Sequence, residues 1–339
     1  MLCRVAEDLF WTSRYVERAI AVSRLSEVTW HLELDAGDVE DEHGDFWAPL
    51  LGPADEAPTR LRGDEHPSPD EVRHYLIFDG QNPSSLVSCV RQARSAARGV
   101  RESISSEMWE HLNTLYLSLV DPDLAAQAED NPHGFYKRIR EGAQFFQGLT
   151  DSTLAHDEVW HFTGLGKYLE RADNVARVLS LQAHLLLTGE HGDDLVRWLA
   201  VLRSCGSAEA YARYYSLRVE PARVVEFLLL NPIFPQSVRF SLGAAWEALR
   251  AIGASQGISH DSATRASRAL GMLSAQLEHA AVDEVLEDGL QPYLTSIRNQ
   301  IAEISEHVTR GYLRDEPRPG RLVAVARAAM IMAAQQQQQ

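Results

Sequence analysis

Lysine is nearly missing from this chain of 339 residues: Lys137 and Lys167 are the only two, and arginine supplies the other cationic side chains. Cysteine is scarce as well. Cys3, Cys89 and Cys205 are odd in number and show no CxxC spacing, which excludes a disulfide framework or a zinc cluster and fits a reducing compartment. No apolar run approaches the roughly 20 residues of a membrane span. Glu7 and Asp8 also interrupt the amino-terminal segment before the apolar core of a signal peptide can form. A soluble, cytoplasmic protein is therefore expected. Positive charge is in deficit, with 32 Lys and Arg against 48 Asp and Glu, a net charge of −16 that repels nucleic-acid phosphates. GxSxG, a phosphate-cradling glycine loop and a plausible Cys–His pair are all absent, so neither nucleophilic catalysis nor an ATP site of the chain's own is expected.

Strand-like alternation is nearly absent too, and apolar residues recur at helical spacing, so the expected fold class is all-α, a large helical bundle. Residues 2–32 read as one amphipathic helix with Leu2, Val5, Leu9, Val16 and Ile20 on one face. Residues 33–71 hold thirteen acidic residues against two arginines and read as an acidic connection, with DFWAPLL (45–51) as a short docked element. Ser84 or Ser85 caps a helix running to about Ile104, another begins near Ser105, and a third follows NPHG (131–134). One long helix is expected across 151–186. Further helices are expected at about 193–206, 207–216, 221–230, 236–254, 260–281 and 285–313. A low-complexity extension, 316–339, follows the prolines Pro317 and Pro319.

Within this pattern the chain repeats itself. RYVERA (14–19) returns 153 residues later as KYLERA (167–172), and across 14–25 and 167–178 six positions are identical. The period is too long for a solenoid and suggests two duplicated halves, about 1–150 and 151–315. In the first copy Glu7, Arg14 and Arg18 share a helix face, with Trp11, Val22 and Leu25 on or beside it. Like charges at i,i+4 destabilise a helix unless a carboxylate from elsewhere answers them, and Lys167 and Arg171 repeat the arrangement. Each helix is thus expected to be sandwiched, its cations paired in a polar interior or facing an enclosed cleft.

A third cationic stripe, Arg91, Arg94, Arg98 and Arg101, follows one face of its helix, and Glu107, Glu110, Glu17 and Glu170 are the carboxylates that can meet it. Guanidinium forks grip carboxylate or phosphate, so the same residues fit either salt-bridge networks between helices or an anion-binding cleft. Glu158 and His161 have the ExxH spacing of di-iron bundles. The other such match, Glu40 and His43, falls in the acidic connection, and the repeat does not reproduce the motif, so no metal site is expected.

The opening MLCRVAEDLFWTSRYVERA resembles that of the bacterial alpha-E family. The likeness continues through NPSSLVSCVRQARSAARGVRESISSEMWEHLNTLY, GKYLERADNVARVL, AYARYYSLRVEPARVVEFLLLNPIFPQSVRF and the final GYL (311–313). The resemblance spans residues 1–313 and implies an all-helical domain. It also implies a circularly permuted ATP-grasp partner, often with a transglutaminase-like protein nearby, and a role in peptide or amide-bond modification. ATP and Mg would belong to that partner, with no cofactor on this chain. Carried onto this sequence, the family's motif positions are Glu7, Arg14, Glu17 and Arg18; Arg94, Arg98 and Arg101; Glu107, Glu110 and Asn113; and Lys167, Glu170 and Arg171. The arginines and Lys167 would bind an anionic substrate or acyl phosphate, and Glu7, Glu17, Glu107 or Glu170 would move protons. Gln236 and Lys167 depart from the arginines common in the family, which puts those two contacts in doubt.

Overall fold

The computed structural model describes residues 1–36, 46–51, 61, 67–121, 123–183, 194–215, 218–256 and 261–313. Among them are fourteen α-helices and no strand. The first seven are α1 (Cys3–Ala36), α2 (Pro69–Ile77), α3 (Leu86–Gly99), α4 (Ser106–Leu117), α5 (Leu124–Asp130), α6 (Pro132–Thr153) and α7 (Glu158–Ala183). The rest are α8 (Asp194–Ser204), α9 (Ala208–Tyr215), α10 (Pro221–Val225), α11 (Val238–Gln256), α12 (Asp261–His279), α13 (Val282–Glu287) and α14 (Leu290–Val308). Single π-helical turns, Glu226–Leu230 and Thr309–Leu313, extend α10 and α14.

Of the two cap candidates Ser84 and Ser85 the structure uses Ser85, and polar residues cap the next long helices too. Ser85 and Ser105 accept from the backbone N–H groups of Ser88 and Met108, and Asn131 caps α6 through Gly134. Within the acidic connection Trp47 is fully buried, its Nε1 donating to Glu33, so the expected docked element is present. The connection also ends earlier than the composition suggests, because Ser68 and Glu71 form a capping box that starts α2. Two expected helices are each divided. Leu154 turns extended and Asp157 bonds the N–H of Val159, separating α6 from α7. Gly289, at φ 102°, separates α13 from α14. The expected C-terminal extension lies outside the described residues.

α1 and α7 pack against each other at the centre. α3 and α6 flank α1, with α4 lying against both; α11 and α14 flank α7, with α12 lying against both. Apolar burial accounts for the sandwich. On α1, Leu9, Val16 and Ile20 enter the main core, while Ala19 and Val22 enter a second cluster with Leu86, Cys89 and Ile139. α7 buries Phe162, Leu165, Leu169, Ala172 and Leu179 completely. With apolar neighbours on both sides, Arg14, Glu17 and Arg18 of α1 and Glu170 and Arg171 of α7 are directed toward the contact between the two helices.

Candidate functional site

The meeting point of α1 and α7 is set by Gly166. A Cβ there would press on the Phe10 carbonyl and the Ser13 hydroxyl, and the backbone carbonyl cannot move aside. Ser13 is the residue 153 positions before Gly166, so the crossing falls on matching places in the two copies of the repeat.

One turn beyond this crossing the copies exchange charges. Arg18 grips Glu170 with a two-pronged fork, Nε to Oε1 at 2.5 Å and Nη2 to Oε2 at 3.0 Å. Arg171 does the same to Glu17, Nε to Oε1 at 2.7 Å and Nη2 to Oε2 at 2.9 Å. Each glutamate thus answers the arginine of the other helix. The rings match as well: Arg18 lies over Tyr15 and Arg171 over Tyr168. The copies differ one turn back. Arg14 gives Glu170 a further bond, Nε to Oε2 at 2.7 Å, whereas Lys167 turns to the exposed Asp151 at 3.7 Å. Gln147 donates to Glu17, and Arg18 and Arg14 reach Ser84 and Ser305.

Glu17 and Glu170 are only 3% and 1% exposed. Burial pushes the Glu170 carboxyl upward, but Arg14 and Arg18 outweigh it and hold the group at about 2. Burial likewise works against ionised Glu17, and Arg171, assisted by Gln147 and Lys167, holds it below the usual range. Burial favours neutral guanidinium in Arg18 and Arg171, yet Glu170 and Glu17 hold both arginines more firmly protonated than usual. Carboxylates this depressed, with both oxygens occupied, suit the holding of arginines and are poor proton carriers at neutral pH.

A second tier of cations lies one to two turns further along both helices. Arg24 and Arg177, again 153 positions apart, form no hydrogen bond or ion pair among the described residues. Burial lowers the pKa of each, opposed chiefly by Glu17 for Arg24 and by Asp173 and Glu170 for Arg177. Around Arg24 the space is nearly filled, about 20 Å³, and its guanidinium lies against Gly206, where φ is 60°. Around Arg177 the space is open. A cavity of about 520 Å³ is lined by Arg14, Asp173, Arg177, Thr295, Arg298 and Asn299, among others. Asp173 accepts from Arg298 Nε at 3.2 Å, so that among the described residues three guanidinium groups and one carboxylate line this cavity. A larger hollow of about 800 Å³, near Trp30, His74 and Tyr136, contains none of the site residues expected from sequence.

The structure therefore brings together Arg14, Glu17, Arg18, Lys167, Glu170 and Arg171, and leaves the other expected residues outside. α3 buries Leu86, Cys89, Val90, Ala93 and Ala97, which turns its arginine stripe away from the interior. Arg94 donates to Asn113 and lies over Trp109 and Tyr116, Arg101 covers Trp109, and Arg98 is exposed. Neither Glu107 nor Glu110 forms an ion pair with that stripe; both are exposed and stand apart from the group at the α1–α7 contact. Glu7 is half-buried and likewise unpaired among the described residues. Glu158 takes the amino terminus at 3.0 Å and the Ser255 hydroxyl at 2.8 Å, and His161 is half-buried with Nδ1 unpartnered. Glu40 and His43 lie outside the described residues. Sequence reasoning missed Arg177, Arg298 and Asp173 as a group, although the repeat already matched Arg24 with Arg177. It also missed Glu27, His31 and His133, whose nitrogen and oxygen atoms lie within 4.8 Å of one another.

Fold and site together define an all-helical protein in which two central helices trade Glu–Arg dipeptides, Glu17–Arg18 against Glu170–Arg171. The chain belongs to the Alpha-E family, described as a predicted alpha-helical domain with a conserved ER motif, whose model matches residues 1–313. It is 27% identical over 321 residues to uncharacterized proteins of Mycobacterium bovis and of Mycobacterium tuberculosis strain CDC 1551, covering 87% of this chain. A protein of M. tuberculosis strain H37Rv, also uncharacterized, is 26% identical over the same length. The matched region is 34% of each relative, so the chain spans about a third of their length. No solved structure matches it. Among the described residues no helix is long and apolar enough to cross a membrane.

Proposed function

We propose that this chain is the anion-binding helical component of a peptide- or amide-modifying system driven by a circularly permuted ATP-grasp partner. The observation that carries the reading is the cavity beside the exchanged pairs, where, among the described residues, Arg14, Arg177 and Arg298 line the same space as one carboxylate, that of Asp173. Arg177 is half-buried with no ion-paired counter-ion among the described residues, and partly desolvated, unpaired charge at a cavity wall suits a site that takes an anionic ligand. Guanidinium groups recognise carboxylates and phosphates alike, so a peptide carboxylate or an acyl phosphate fits the same place. Arg14 links cavity and lock, since its Nε holds Glu170 while its side chain lines the opening. In this reading Glu17 and Glu170 position arginines, and the activating chemistry, with ATP and Mg, belongs to the partner. That the matched region is a third of each mycobacterial relative supports a domain that works beside another.

The test is reconstitution with the ATP-grasp partner, ATP, Mg and a peptide bearing a free carboxylate, with products read by mass. The variant Arg177→Gln/Arg298→Gln is expected to lose product while keeping its helical circular dichroism. Undiminished product from that variant would sink the proposal. A second reading, a non-catalytic scaffold, draws on the closed state of both exchanged pairs. It expects the cavity variant to behave as wild type and only Glu17, Glu170 or Arg171 substitutions to matter, through stability.

A further inference from the structure

We propose that Glu27, His31 and His133 form a binding site for a divalent transition-metal ion of the zinc type, at the edge of the α1–α6 contact. Glu27 and His31 sit one turn apart on α1, and His133 comes from the first turn of α6. The Glu27 carboxylate is buried, its Oε1 2.7 Å from His133 Nδ1, and Arg140 holds its Oε2. One oxygen is thereby fixed by an outer partner while the other points at the histidines, the arrangement that orients a metal-binding carboxylate. The imidazoles of His31 and His133 lie 6.3 Å apart by ring centroids and are both exposed, so small side-chain rotations can converge their nitrogens.

The convergence needed is short. Bonds of about 2.1 Å in a tetrahedral site put ligand atoms roughly 3.4 Å apart, and these atoms already lie within 4.8 Å of one another. The backbone that carries them is firm. Asn131 caps the start of α6, and the Ser23 hydroxyl on α1 donates to the Tyr136 carbonyl on α6 at 2.8 Å. Two imidazoles and one carboxylate suit zinc and its neighbours in the transition series, whereas magnesium and calcium prefer all-oxygen shells. The histidines' exposure leaves the fourth position to water. The Arg140 guanidinium opposes the ion's charge, so affinity is expected to fall below that of a closed structural zinc site.

The experiment is calorimetric titration of the tag-free, metal-stripped chain with zinc chloride, followed by cobalt(II) substitution monitored by visible absorption. The expected result is saturable uptake of about one equivalent per chain, a tetrahedral-type cobalt band, and no uptake of magnesium. His31→Ala and His133→Ala should each abolish saturable uptake with unchanged circular dichroism, since both side chains are exposed, while His156→Ala/His161→Ala should keep it. Absence of saturable zinc uptake overturns the proposal, as does uptake undiminished by His133→Ala. In either case the trio is a hydrogen-bonded surface pair with a neighbouring histidine.

Discussion

Replacing Glu170 with glutamine removes the counter-ion from Arg14 and Arg18 while leaving the shape of the site unchanged. Arg14 is 8% exposed and Arg18 half-buried, and with the carboxylate gone their guanidinium groups are left with serine hydroxyls, aromatic faces and the more distant Asp173 in place of an ion pair. Breaking a buried pair in this way costs roughly 3–5 kcal/mol. The depression of Glu170 from 4.5 to about 2 leads to a similar figure, roughly 3 kcal/mol at 1.36 kcal/mol per pKa unit. For a chain of 339 residues, whose unfolding entropy is about 0.7 kcal/mol per kelvin, that corresponds to a Tm lowered by about 4–7 °C. The pH dependence carries a definite sign. Because the folded pKa is depressed, the contribution is complete above about pH 5 and disappears as pH falls toward about 2. Glutamine cannot titrate, so thermal melts of the two proteins should differ most at neutral pH and converge on acidification. Equal Tm values at pH 7, or a gap that ignores pH, would refute the reasoning.

Arg177→Gln should melt at or above the wild-type temperature, because it removes a half-buried charge with which no carboxylate among the described residues forms an ion pair; a clear loss of Tm would mean that charge is compensated. Gly166→Ala should destabilise the protein by about 1–3 kcal/mol in urea unfolding, since the added Cβ meets the Phe10 carbonyl. Burial pushes the thiols of Cys89 and Cys205 up to about 12, so a thiolate-directed reagent at pH 8 should label the native protein only at the partly exposed Cys3. Mass mapping of the label checks this.

The parts of the fold and site that could be read from sequence are those governed by local rules. A serine cap at 84 or 85, a helix start near Ser105, the docked element around Trp47 and the sandwiched face of α1 all follow from periodicity and short-range chemistry. The demand of Arg14 and Arg18 for an outside carboxylate was legible in their like charge at i,i+4, and Glu170 meets it. What could not be read is which helix faces which. The stripe from Arg91 to Arg101 is as regular as the Arg14–Arg18 face, yet the apolar side of α3 turns it toward Trp109 and Tyr116. The cavity was hidden for a related reason. Arg14, Arg177 and Arg298 come from α1, α7 and α14, and no sequence spacing connects them. His133 joins Glu27 and His31 in the same way, across a helix contact.

Closed pairs acting as a lock, with the arginine-lined cavity acting as the binding place, is a division of labour that one titration tests directly. Inorganic pyrophosphate is added to the wild-type chain and to Arg177→Gln/Arg298→Gln, and heat is recorded at low ionic strength, where screening is weak. The account predicts a single saturable site in the wild type and none in the variant, both proteins remaining folded. Absence of saturable heat in the wild type, or an identical isotherm in the variant, would contradict it.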